Sequence, residues 1–240
     1  MLCSTHFRRL RLIAALLAAG LLGFCATAHA QILLGATAGV DISDANGTSA
    51  NWTLITDFDT PVSMTDLNTG DPFSGVNVTL SQQNSSGGLN DLSGTADGSS
   101  ITDAPQPVIT DGAYGAGTNA SLTLTITGLD PSLDYNLEIY SLSNINNADD
   151  VPYINGVATT WPSGFETRVD RYNQTTGAFF YNVPSNGSGT LSFGIEDDID
   201  TNPVFNAMTI TAVPVPEPGA SALLAGLALP VALLLRRKSR

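Results

Sequence analysis

Residues 122 to 127 read Leu-Thr-Leu-Thr-Ile-Thr. Apolar and polar side chains alternate without a break, and a period of two belongs to a strand with one buried face. Gly128-Leu129-Asp130-Pro131-Ser132 follows as a turn, and then Tyr135, Leu137 and Ile139 alternate with Asn136, Glu138 and Tyr140. The two runs read as adjacent antiparallel strands. Tyr153-Ile-Asn155-Gly156-Val-Ala158 reads as a hairpin, because Asn-Gly supplies the positive φ angles of a two-residue type I′ turn. Phe179, Tyr181 and Val183 precede a turn at 185–189. Leu191, Phe193 and Ile195 follow it, and Val204 to Ala212 forms a last strand.

The first half is patterned more loosely. Val76, Val78 and Leu80 alternate cleanly, while Trp52–Ile55 and Val62–Met64 predict short strands. Residues 84 to 104, rich in Ser, Gly, Asn and Asp, predict a long loop. No helical period runs through residues 31 to 213. Many short strands between Gly, Asn, Asp and Pro predict one all-β domain over 31–213, an antiparallel β-sandwich.

The ends of the chain are of another kind. Arg8, Arg9 and Arg11 precede an apolar run from Leu12 to Phe24, and Ala28-His29-Ala30 forms an A-x-A cleavage site. This order predicts a secretory signal peptide helix over residues 1–30 and a mature chain beginning at Gln31. At the other end, Pro216-Glu217-Pro218 precedes an apolar run of 17 residues, 219 to 235. At about 1.5 Å per residue that run spans roughly 26 Å, enough for a short transmembrane helix. Arg236-Arg237-Lys238-Ser239-Arg240 closes the chain and, by the positive-inside rule, leaves the body on the outer side of the membrane.

This three-part tail, together with an N-terminal signal, resembles the PEP-CTERM sorting signal of Gram-negative bacteria. The resemblance covers residues 214–240. It implies processing by signal peptidase and then by exosortase, with transient anchoring in the inner membrane and transfer to the cell surface or an extracellular polysaccharide matrix. On this reading Pro216, Glu217, Pro218, Arg236, Arg237 and Lys238 are recognised by the sorting enzyme and catalyse nothing. A second resemblance rests on strand grammar over residues 112 to 212, from Leu122-Thr-Leu-Thr-Ile126 through Ile154-Asn155-Gly156 to Phe205-Asn206-Ala207-Met208. That stretch is similar to the jelly-roll sandwiches grouped as galactose-binding-like domains, and it implies a fold with glycan binding as one use of it.

Charge and residue absences narrow the chemistry. Of nine Lys and Arg in the chain, only Arg168 and Arg171 fall within 31–215, against all but one of the 22 acids, a net charge of −19 for the body. Nucleic acid is therefore excluded as a partner, since phosphates are repelled. Both histidines (His6, His29) and both cysteines (Cys3, Cys25) lie in the signal segment. The body accordingly has no imidazole base, no thiolate nucleophile, no Schiff-base lysine, no disulfide and none of the common zinc ligands. Carboxylate chemistry survives, as glycoside hydrolysis or calcium binding.

Candidate sites follow from these limits. Trp161, Tyr153, Tyr114 and Trp52 are aromatic rings able to stack on a sugar, and Trp161, in a loop after the hairpin, is the one expected to be most exposed. Asp197, Asp198 and Asp200 form an acidic cluster suited to calcium, as does Asp149-Asp150. No cofactor is required by any of these readings. The expectation is a non-enzymatic surface or matrix protein, structural or adhesive. A carbohydrate-binding module for extracellular polysaccharide is the alternative, and a carboxylate glycoside hydrolase ranks below both. An exposed aromatic platform beside a groove would select the carbohydrate-binding reading.

Overall fold

The computed structural model describes residues 31–43, 49–91, 101–142, 150–165, 174–197 and 202–215. The signal segment, the Pro-Glu-Pro tail with its apolar run, Arg168, Arg171, Asp149, Asp198 and Asp200 lie outside them. Among the described residues no helix is long and apolar enough to cross a membrane.

The described chain is mostly strand. Its elements are β1 (Thr37–Ile42), β2 (Thr53–Ile55), β3 (Val62–Thr65), β4 (Pro72–Gln83), β5 (Leu89–Asp91), the short helix α1 (Gln106–Thr110), β6 (Asp111–Tyr114) and β7 (Ser121–Thr127). They continue as β8 (Leu133–Tyr140), β9 (Val151–Ile154), β10 (Val157–Ala158), β11 (Ala178–Pro184), β12 (Leu191–Glu196), β13 (Val204–Phe205) and β14 (Ala207–Pro214). A five-stranded sheet has the order β11-β8-β14-β1-β2, a six-stranded sheet the order β10-β9-β12-β7-β4-β3, and a small third sheet the order β13-β6-β5. Apart from β1 with β2, the ladders are antiparallel.

The two large sheets share one core. Leu122, Leu124 and Ile126 of β7 and Leu191, Phe193 and Ile195 of β12 meet Tyr135, Leu137 and Ile139 of β8 and Met208, Ile210 and Ala212 of β14. These are the apolar members of each alternating run, so their polar neighbours face outward, as antiparallel sheets with one wet face require. Asn155 and Gly156 both sit at positive φ, 51° and 75°, and β9 pairs β10 across them as the Asn-Gly pair predicts.

The expected pairing of residues 122–127 with 135–140 does not occur. β7 belongs to the six-stranded sheet and β8 to the five-stranded one. Residues 128–132 therefore turn a corner between sheets instead of closing a hairpin. Gly128 makes the corner possible: it has φ +83°, and a Cβ there would stand 2.1 Å from the Gly75 carbonyl oxygen. Tyr135 then locks it, its hydroxyl accepting from the Asp130 N–H (2.9 Å) and donating to the Asp130 carbonyl (3.0 Å). This resembles the tyrosine corner of β-sandwiches, in which a phenol ties a strand start to backbone a few residues upstream. Burial, the largest cause, pushes the Tyr135 phenol up to about 12, so it stays a donor throughout the usual pH range. Tyr135→Phe is expected to lower stability by about 1–3 kcal/mol, the cost of orphaning partly buried polar groups. Urea denaturation is the check, with a midpoint equal to that of the wild type as the contrary result.

Two further departures have local causes. β11 carries a bulge between Phe180 and Val183 with Asn182 at φ +53°, and one extra residue shifts the alternation. Ala178, Phe180 and Val183 face the core, leaving Phe179 and Tyr181 outside. The stretch expected as one last strand breaks at Asn206, whose side-chain oxygen accepts from the Leu142 N–H (2.6 Å) and whose amide donates to Ile109 (3.0 Å) and Asp111 (2.8 Å) carbonyls. Of the stretch expected as a long loop, residues 89–91 form β5.

Candidate functional site

Trp161 is in the core. It is 8 % exposed, its indole N–H donates to the Asp150 carbonyl (2.8 Å), and its ring lies against Phe180 and Phe193 at 6.2 and 6.3 Å between centroids. The exposed position expected of it is thus corrected. A loop position in sequence says nothing of which way a large ring turns, and apolar area drives it inward. Tyr114 is half-buried in β6. Tyr153 is half-buried on the outer face of the six-stranded sheet. Asp197 and Asp150 are both buried, and the Asp197 N–H donates to the Ala120 carbonyl (2.9 Å). Among the described residues no group of three or more His, Cys, Asp or Glu is placed to hold a metal.

An outward-facing aromatic pair lies elsewhere. The rings of Phe179 and Tyr181 stack on the outer face of β11, 5.7 Å apart and within 7° of parallel. Tyr181 is 65 % exposed. Sequence reading did not single them out as a site, although Phe179-Phe180-Tyr181 carries the signal: three consecutive rings on a half-buried strand leave two on one face.

Register extends this pair into a groove. Phe179 stands beside Glu138 of β8, which stands beside Thr209 of β14, which stands beside Gly39 of β1. One step along the strands, Asn136, Thr211 and Thr37 form a second row, and the two threonine hydroxyls bond at 2.8 Å. With Tyr181 these residues line a cavity of about 320 Å³. The far end of the first row is closed by Trp52 and Leu67, which lie so close over Gly39 that a Cβ there would meet both within 3 Å. The Asn136 side-chain oxygen accepts the N–H of Asn182 (3.0 Å) and so fixes the bulge that turns Tyr181 outward.

The same sheet face is covered at its other end. Ile101, Ala104, Val108 and Ile109, from α1 and the segment before it, pack on Tyr140, Leu142 and Ala207 as a second small core. At the boundary, Asp103 and Glu138 both accept from the Gly177 N–H, at 3.2 and 3.0 Å. Burial first, and Asp103 second by a shared hydrogen bond and its charge, push the Glu138 carboxyl up to about 8. The buried Tyr140 phenol beside them is raised as well, chiefly by burial and then by the charges of Glu138 and Asp103. The raised Glu138 carboxyl lies on the groove floor beside hydroxyls and an amide.

Under the cover lies Asp41 of β1, 0 % exposed, with both carboxylate oxygens lacking a hydrogen-bond partner. Burial and, second, the charge of Asp111 raise it to about 7. Asp111, itself buried, accepts from the Ser43 hydroxyl (2.6 Å).

No family model and no curated protein matches the chain. Among solved structures it is similar to the crystal structure of protein YxiM from Bacillus subtilis, with 11 % identity and a TM-score of 0.39 over 74 % of this chain. The match spans 40 % of that protein's own chain.

Proposed function

We propose that this is an exported, non-enzymatic surface or matrix protein whose jelly-roll-like body binds a neutral extracellular polysaccharide. The observation that carries the reading is the outward-facing Phe179–Tyr181 stack at the edge of a groove lined by Asn136, Glu138, Thr209, Thr211 and Thr37. A pyranose ring has an apolar C–H face that packs on an aromatic ring, while its hydroxyls need exchangeable donors and acceptors on the groove wall. The net charge of the body favours an uncharged chain over an anionic one. Asp103 and Glu138 share a hydrogen bond. That leaves no space for a glycosidic bond between them, where glycosidases keep their carboxyls about 5–10 Å apart.

Export and sorting complete the proposal. The signal segment supports release outside the inner membrane, and the Pro216-Glu217-Pro218 tail supports transfer by exosortase to the surface. Mass spectrometry of the surface form is expected to show a C-terminus near Pro218, and an intact Arg240 there removes the sorting step. For the body, a glycan array is expected to give signal on neutral oligosaccharides and none on sulfated or uronic ones. A blank array removes the glycan reading.

A further inference from the structure

The opposite outer face of the molecule carries a groove of related chemistry. On the outside of the six-stranded sheet, Tyr153 of β9, Gly194 of β12 and Thr123 of β7 are direct cross-strand neighbours. The glycine leaves a notch between ring and hydroxyl: a Cβ there would stand 3.1 Å from Thr123 Oγ1 and 3.8 Å from Tyr153 Cβ. Ser121, Ser192 and Glu196 complete a cavity of about 260 Å³. All of these residues alternate with side chains of the main core, so they face away from it.

The two grooves share a plan: one aromatic edge, a row of hydroxyls running across neighbouring strands, and a single carboxylate. The occupant that this plan fits is an uncharged polyhydroxyl chain. An anionic chain would need cations, and among the described residues no Lys or Arg lines either groove. A protein partner would need a desolvated apolar centre, and here a single tyrosine stands among serines and threonines. The grooves also point in opposite directions, on sheets about 10 Å apart face to face, so one straight stretch of chain cannot fill both.

We propose that the body is bivalent, holding one neutral polysaccharide chain on each outer face and so cross-linking two chains. This rests on the glycan reading above. Bivalency adds a property that a single platform lacks, because strands held at two points act as a network.

The test uses the mature protein with hydroxyethylcellulose, dextran and laminarin as neutral chains. Gel retardation reports binding, and solution viscosity reports cross-linking. Wild type is expected to be retarded by at least one of them and to thicken it. Tyr181→Ala and, separately, Tyr153→Ala or the notch-filling Gly194→Ala are expected to remain retarded, within about threefold of wild type. Each is expected to lose the added viscosity by about tenfold or more, as loss of one of two linked sites predicts. The Gly194→Ala variant keeps the tyrosine and so guards against a folding defect in Tyr153→Ala. If Tyr181→Ala alone abolishes retardation while both second-face variants thicken the solution like wild type, bivalency is overturned and the single-platform reading stands. If wild type is retarded by none of the three, both fall.

Discussion

Replacing Asp41 with Asn is expected to raise the melting temperature at pH 8 and to lower it at pH 4, where the cost of the buried amide stands alone. In the folded chain this carboxyl is fully buried, has no hydrogen-bond partner and is raised to about 7 from an ordinary 3.8. In the unfolded chain it loses its proton near the ordinary value. Between the two values the folded state holds the extra proton, so stability falls as pH rises through this window and levels off above it. The gap corresponds to ~4 kcal/mol at full extent, against which the buried amide of Asn sets its own cost of about 1–3 kcal/mol. A net gain of about 2 kcal/mol at pH 8 moves the melting temperature up by several degrees in a body of this size. Glu138 is raised in the same sense, and Glu138→Gln is expected to remove a second, separable part of the slope. Differential scanning fluorimetry from pH 4 to 8 reads both. A wild-type slope in the Asp41→Asn protein would show that this carboxylate is already ionised in the fold.

Removing both platform rings, Phe179→Ala with Tyr181→Ala, is expected to weaken glycan binding at the five-stranded face by about 30-fold or more. Aromatic anchors at the centre of an interface typically contribute 2 kcal/mol or more when truncated. Tyr181 is mostly exposed and Phe179 is half-buried outside the main core, so the cost to folding is small. Asn182 separates ring loss from ring placement. Its backbone N–H is held by the Asn136 side chain, so Asn136→Leu, which keeps both rings but frees the bulge, is expected to weaken binding by a lesser factor, about tenfold. Isothermal titration with the strongest oligosaccharide of the array decides. Unchanged affinity and unchanged stoichiometry in the double variant would move the site off this face.

Much of the fold was legible because alternation is a local property. The buried members of β4, β7, β8, β12 and β14 are the apolar members of their runs, and Asn155-Gly156 turns where its φ preference demands. Sheet membership was not legible. The Gly128–Ser132 stretch has the composition of a hairpin turn, yet the Gly75 carbonyl and the Tyr135 hydroxyl make it a corner, and both contacts come from residues that the local pattern leaves unconnected. The bulge at Asn182 was hidden in the same way, and with it the candidate site. One extra residue decides whether a ring packs against Phe193 or faces water.

The sequence alone determined the class of the body: strands from the period of two, an exclusion of imidazole, thiolate and lysine chemistry from residues that are absent, and a strongly negative surface. These follow from composition and nearest neighbours along the chain. Only the tertiary structure decided that Trp161 is core, that Phe179 and Tyr181 stack on an outer face, and that Asp41 is buried without a partner. Those outcomes depend on which strands stand side by side, and that is set by packing between residues far apart in the chain.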